Sequence, residues 1–187
     1  MRKLLFRSFV QGPLTEAAPA RDDAALAELA ARVATASRKR LGRTLAIREV
    51  DAGSCNGCEL EIHALGNVLY DLERFGLRFV ASPRHADVLL VTGPVTANMR
   101  EALERTYQAT PDPKWVVAVG DCARDGGVFA GSPACVGGVS QVLPVDLHIP
   151  GCPPSPIALL KGLLALLESV SAEVPRDGGG AAKVEGP

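Results

Sequence analysis

Ser54-Cys55-Asn56-Gly57-Cys58-Glu59-Leu60-Glu61 follows residues 44–50, Thr-Leu-Ala-Ile-Arg-Glu-Val, which read as a β-strand. Two later cysteines occupy matching places. Cys122 stands in Val119-Gly120-Asp121-Cys122, after the apolar run 114–119, and Cys152 stands in Ile149-Pro150-Gly151-Cys152-Pro153, after residues 142–149. Each segment is an apolar strand, a small turn, then cysteine. In an open parallel α/β sheet the carboxyl ends of the strands share one edge, and ligands bind there. Four thiols far apart in sequence can therefore converge on one point, and fold and site are predicted together.

Working outward, the elements alternate. Residues 1–20 carry Pro13 and Pro19 without periodicity and read as an extended arm. A helix follows, with Asp22 as N-cap, Leu26, Leu29, Ala30 and Val33 on one face, Arg38-Lys39-Arg40 in its last turn and Gly42 as its stop. After the Cys-x-x-Cys a helix is predicted to run on to Gly76, with Ile62, Leu65, Leu69 and Leu72 as its apolar stripe. Cys58 falls near its N-terminus, where free amides and the dipole favour a thiolate. Residues 77–81 and 87–92 read as strands; Val88-Leu89-Leu90-Val91 is an unbroken apolar run, as expected of a strand covered on both faces. Asn98 with Glu101 predicts the start of the next helix, which Pro111 and Pro113 end. The last strand, 142–149, contains Pro144 and is expected at the sheet edge. Gly151-Cys152-Pro153-Pro154 is expected to open a final helix, apolar most of the way round through Leu159, Leu160, Leu163, Leu164, Leu166 and Leu167. Beyond Val174 the composition reads as a disordered tail.

This alternation predicts an α/β fold: a flavodoxin-like open parallel sheet with helices on both faces and the thiol site at its carboxyl-end edge. Three segments are expected: an N-terminal arm and basic amphipathic helix over 1–42, an iron–sulfur-binding α/β domain over 43–170, and a tail over 171–187.

Composition narrows the function classes. The chain has 187 residues, enough for one domain with a proper core, and its 47% hydrophobic content is that of a globular protein. A net charge of -1 argues against general nucleic-acid binding. Residues 1–50 hold ten Lys and Arg against five Asp and Glu, a basic start on a more acidic body, which suggests docking to a partner or to anionic lipid as readily as a solvated helix face. No apolar run reaches bilayer length, and the basic N-terminus lacks a long apolar core and a cleavage site. A protein kept on the cytoplasmic side follows as the expectation.

Five cysteines without an export signal favour metal or cluster ligation over disulfides. A [4Fe–4S] cluster takes four thiolates. Cys55 and Cys58 share one loop, and Cys122 and Cys152 each come off a glycine-containing turn that lets backbone approach a cluster closely. Cys135 has no strand leading into it and reads as a buried small hydrophobe. Two alternatives stay open: zinc, although structural zinc usually takes two close pairs, and a thioredoxin-like redox pair, which leaves Cys122 and Cys152 unexplained.

Taken together, the cysteine stretch, Ser82-Pro83-Arg84-His85-Ala86-Asp87, Thr92-Gly93-Pro94-Val95-Thr96, Gly120-Asp121-Cys122, Gly126-Gly127-Val128-Phe129, Pro144-Val145-Asp146 and Pro150-Gly151-Cys152-Pro153-Pro154 form a long ordered series. Over roughly residues 48–167 it resembles the small subunit of membrane-bound, energy-converting [NiFe] hydrogenases of the formate hydrogenlyase and hydrogenase-4 type. It also resembles the related B subunit, the 20-kDa family, of respiratory complex I (NADH–quinone oxidoreductase). That subunit typically has two adjacent cysteines where this chain has the spaced Cys55 and Cys58, so the likeness is to the hydrogenase branch.

The resemblance implies that Cys55, Cys58, Cys122 and Cys152 hold one [4Fe–4S] cluster. It implies electron transfer between a NiFe large subunit and ferredoxin-like (polyferredoxin) subunits, with no substrate chemistry in this chain, and a peripheral place beside membrane subunits on the cytoplasmic face. Glu59, Glu61, Arg84 and His85 are candidates to tune the cluster by charge. Arg84 and His85 match a stretch that in the complex I relative lies near cluster and quinone; an ordinary surface charge is the competing reading. His63 and His148 read as structural.

Overall fold

The computed structural model describes residues 23–172. The expected arm, the Asp22 cap and the tail beyond Val174 lie outside the described residues.

Five strands form one parallel sheet: β1 (Leu45–Asp51), β2 (Leu77–Phe79), β3 (Val88–Thr92), β5 (Trp115–Val119) and β7 (Leu147–Ile149). Their order is β2-β1-β3-β5-β7, the flavodoxin-like arrangement in which the chain reverses direction across the sheet beside β1. A two-stranded antiparallel pair, β4 (Val95–Thr96) with β6 (Cys135–Gly137), lies apart from it. The helices are α1 (Asp23–Leu41), α2 (Gly57–Ala64), α3 (Ala97–Ala109), α4 (Asp121–Asp125) and α5 (Pro156–Ala172).

Every residue of β3 and β5 is buried, because these central strands are covered on both faces. Side chains alternate across the sheet. Leu45, Ile47, Val88, Leu90, Val117 and Val119 pack against Val33, Ile62, Leu65 and the leucines of α5. Val50, Leu89, Val91, Val116 and Ala118 pack against Leu103, Ala123 and Val139 on the other face. All six leucines singled out in α5 are buried, so that helix owes its apolar girth to the core. Helix α1 lies beside α5, joined by Arg32 Nη2 to Glu168 Oε1 at 3.0 Å. It ends as expected at Gly42, in the left-handed region (φ 66°), whose N–H returns to Arg38 O.

Several expectations are corrected. The helix after the cysteine pair stops at Ala64. Gly66 gives it no propensity to continue, and the Asn67 side-chain oxygen accepts the N–H groups of Leu69 and Tyr70, offering the backbone a turn instead. Leu72 is still buried, but Leu69 is 56% exposed. Thr96, not Asn98, takes the N-cap position of α3. The last strand begins only at Leu147, although it is an edge strand as expected. The final helix begins at Pro156, with Ser155 Oγ accepting the Ala158 N–H, so Cys152 lies in the turn before it.

Register fixes where the turns go. Asp51 pairs with Thr92, Thr92 with Val119 and Val119 with Ile149. Four strands therefore end at the same level, and every cysteine-bearing turn leaves from one edge. On the opposite, amino-terminal side, Asp87 accepts a fork of hydrogen bonds from Arg43 (3.0 and 2.6 Å) and the N–H of Ala46 (2.9 Å).

Candidate metal centre

The turn after β1 is shaped by its own side chains. Asp51 Oδ1 accepts the N–H groups of Gly53 and Ser54, both at 2.7 Å, and Ser54 Oγ accepts that of Asn56 at 3.0 Å. Asn56 takes the left-handed conformation (φ 71°), reverses the chain and caps α2, so Cys55 precedes the helix and Cys58 is its second residue. Thr96, at the end of β4, braces this turn through two bonds to Ala52 O.

The other two cysteines are tied together by backbone. Gly120 N–H donates to Ile149 O at 2.8 Å, and Asp121 N–H to Gly151 O at 2.9 Å. Gly151 N–H returns to Asp121 Oδ1 at 3.2 Å. These bonds join the turn carrying Cys122 to the turn carrying Cys152. Glycine is required where sulfur comes close. A Cβ on Gly120 would stand 2.7 Å from Cys58 Sγ, and one on Gly127 would stand 2.8 Å from Cys122 Sγ. A Cβ on Gly57 would lie 3.6 Å from Cys55 Sγ and 4.0 Å from Pro153, the neighbour of Cys152.

All four expected cysteines are free thiols and interact electrostatically. Burial pushes the Cys58 thiol up to about 12, followed by the charges of Glu59, Cys122, Cys55 and Cys152. The Cys122 thiol is also raised by burial, against the lowering effect of a hydrogen bond from the Val128 backbone. The expectation that the helix dipole favours a Cys58 thiolate is thus outweighed by desolvation. Cys55 and Cys152 are exposed at the rim, with Leu60 (61% exposed) and Val128 (83% exposed) among the exposed apolar side chains of neighbouring segments. Among the described residues, no three His, Cys, Asp or Glu side chains stand as ligands for one metal ion.

The remaining candidates separate. Cys135 begins β6 and is half-buried, so it is not the buried hydrophobe expected. Glu59, beside Cys58, is 6% exposed and neither carboxylate oxygen has a hydrogen-bond partner. Glu61 is half-buried on the same helix. Arg84 and His85 sit exposed in a turn just before β3, at the sheet's amino-terminal side. That is a strand length from the cysteine edge, ~13 Å at about 3.3 Å per residue, which argues against a tuning role. His63 Nε2 stands 3.6 Å from Glu49 Oε2, in a cleft of about 360 Å³ also lined by Arg48, Phe79 and Val80. Burial raises the Glu49 carboxyl. Neither this cleft nor the burial of Glu59 was legible in the sequence, because both depend on how α2 and the segment after it pack beside β1. No helix among the described residues is long and apolar enough to cross a membrane.

The family described as NADH ubiquinone oxidoreductase, 20 Kd subunit, matches residues 55–166. A probable membrane-bound hydrogenase subunit, mbhJ, of Pyrococcus furiosus is 47% identical over 145 residues, 75% of this chain and 87% of that protein. Formate hydrogenlyase subunit 7 of Escherichia coli is 48% identical over 133 residues, 70% of this chain; the chain spans about half (52%) of that relative. Among solved structures, a chain of an archaeal membrane-bound sulfane sulfur reductase superposes with a TM-score of 0.63 at 36% identity, covering 73% of this chain and 74% of that one. A chain of an NAD+-reducing [NiFe]-hydrogenase superposes with a TM-score of 0.54 over 72% of this chain and 97% of that one; at 22% identity it speaks for the fold alone.

Proposed function

The chain belongs to the NADH ubiquinone oxidoreductase 20 Kd subunit family, and from that premise we propose that it carries one [4Fe–4S] cluster on Cys55, Cys58, Cys122 and Cys152. In this reading it is the electron-transfer subunit of a membrane-bound [NiFe] hydrogenase. It relays electrons between a NiFe large subunit and ferredoxin-like subunits and has no substrate site of its own. It sits peripherally beside membrane subunits, on the cytoplasmic face.

One observation carries the reading: strand ends in register bring four free thiols to one edge, with glycine backbone against two of the sulfurs. The donor set fits the group. A single zinc with ~2.3 Å bonds would draw its sulfurs to within about 4 Å of one another. Four irons, each taking one thiolate, suit a broader ring of cysteines. When bound, the cluster supplies one-electron redox chemistry. The chain's own part is to hold the thiolates and present amides toward sulfur, as Val128 N–H does toward Cys122. The exposed Cys55, Cys152, Leu60 and Val128 form the face on which a large subunit would seat.

Residues 43–170 would form the cluster-binding unit, and the basic segment before them would face neighbouring subunits. The hydrogenase relatives at 47% and 48% identity favour hydrogen chemistry. The chain of a membrane-bound sulfane sulfur reductase at 36% identity supports a second reading, the same relay serving a respiratory membrane complex other than a hydrogenase, such as a complex I-like quinone reductase.

Metal analysis of the complex purified through this subunit tests these readings. Iron with nickel is the expected result; iron without nickel moves the chain to the second reading. A colourless preparation that dithionite does not bleach would reject the cluster and leave a zinc or thiol adaptor.

A further inference from the structure

Gly120 occupies a region of backbone space (φ 86°, ψ 163°) that is essentially closed to other residues. It is also the residue pressed against Cys58 Sγ, and it lies two positions before Cys122. Its conformation therefore sets two sulfurs at once. Its N–H is fixed by Ile149 O at 2.8 Å. Its carbonyl is met by a side chain, His148 Nε2, at 3.1 Å. A carbonyl oxygen only accepts, so the hydrogen is on Nε2. Both polar groups of Gly120 are thus held by consecutive residues of β7, the strand that delivers Cys152.

We propose that His148 is a positioning residue for the sulfur site: by donating from Nε2 to the Gly120 carbonyl, it locks the β5 turn to β7 and fixes the spacing of Cys58, Cys122 and Cys152. The Gly120 carbonyl and the Asp121 N–H belong to one planar peptide, and its two ends are held separately: the N–H by Gly151 O and the carbonyl by His148. Without the His148 bond the carbonyl end is unpaired and the unit can tilt about the remaining Asp121–Gly151 bond, beside a Gly120 Cα that has no room to shift toward Cys58 Sγ. The imidazole is half-buried and opposite Ala118 in register, a small residue that leaves room for the ring to reach past the strand end.

The inference rests on the cluster reading above, and its test keeps the two apart. Glutamine places an amide N–H close to where histidine places Nε2, whereas asparagine is too short, and both are polar side chains suited to a half-buried position. His148→Gln and His148→Asn are made in the complex purified through this chain. Two properties are read: the rate at which iron is lost to an excess of chelator, and the low-temperature EPR line shape of the dithionite-reduced cluster. Expected is release within about twofold of wild type and a native line shape for His148→Gln. His148→Asn is expected to release iron at least about tenfold faster and to show a shifted or broadened line. His148→Leu, which fills the space without donating, should behave as His148→Asn does. An Asn variant matching wild type in both readouts, or a Gln variant as labile as Asn, overturns the role of His148. Absence of iron from the wild-type complex overturns the cluster reading itself, whatever the variants do.

Discussion

Cys58 shows how burial and charge compete at a single sulfur. Its proton is held to about 12 in the metal-free chain, first by desolvation and then by Glu59 and the other three cysteines. An unfolded chain releases this proton near the ordinary thiol value, so between about 9 and about 12 the unfolded state binds fewer protons than the folded one. Metal-free protein should therefore lose stability as pH rises through that window, and urea midpoints measured from pH 8 to 11 check it. At pH 8.5 iodoacetamide should modify the exposed Cys55 and Cys152 well before Cys58, as peptide mass spectrometry would record. Cluster assembly must remove the proton, so loading should release acid to the medium.

The same scale separates ligand from bystander. Cys122→Ser or Cys152→Ser should abolish or convert the cluster, read as loss of iron or an altered EPR spectrum, while Cys135→Ser, on the separate β4–β6 pair, should keep it. A native spectrum in either of the first two would contradict the ligand assignment. Gly120→Ala meets both a forbidden backbone region, about 1–3 kcal/mol of strain, and a sulfur 2.7 Å away. Loss of iron should exceed that of Gly131→Ala, whose Cβ would meet nothing within 4 Å.

At the scale of elements, the two ends of the sheet do different work. The amino-terminal side is a structural clamp. Asp87 is buried and takes three hydrogen bonds from Arg43 and Ala46. Asp87→Ala should cost about 2–3 kcal/mol, because Arg43 is half-exposed and water recovers part of its solvation. Leu163, fully buried in α5, should cost ~2–5 kcal/mol when cut to Ala. Chemical denaturation of the metal-free chain measures both, and neither change should alter the cysteine-edge chemistry of the protein that remains folded. Helix α2 was legible in its start and not in its end. Its start is written in Asn56-Gly57, but its stop depends on Asn67 finding two amides that only the folded turn presents.

For the whole molecule, the parallel sheet and its thiol-bearing edge were readable because each strand, turn and cysteine is contiguous in sequence. Strand–helix alternation then allowed few topologies. Lengths were less readable where tertiary pairing sets them. β7 is three residues because only Leu147–Ile149 finds β5 beside it, and β4 and β6 pair across a long connection that no local pattern announces. Arg84 and His85 were drawn toward the site by family likeness, yet the register puts their turn before β3 rather than after it.

By itself the sequence determined the order of the five sheet strands and the family, and it singled out four cysteines as candidates, since those are properties of short segments read one at a time. Only the tertiary structure decided that the strand ends stand level, that Gly120 abuts Cys58, that Glu59 is sealed without a partner and that His148 reaches the Gly120 carbonyl. Each of these depends on segments tens of positions apart meeting through sheet register and packing, and no local propensity encodes it.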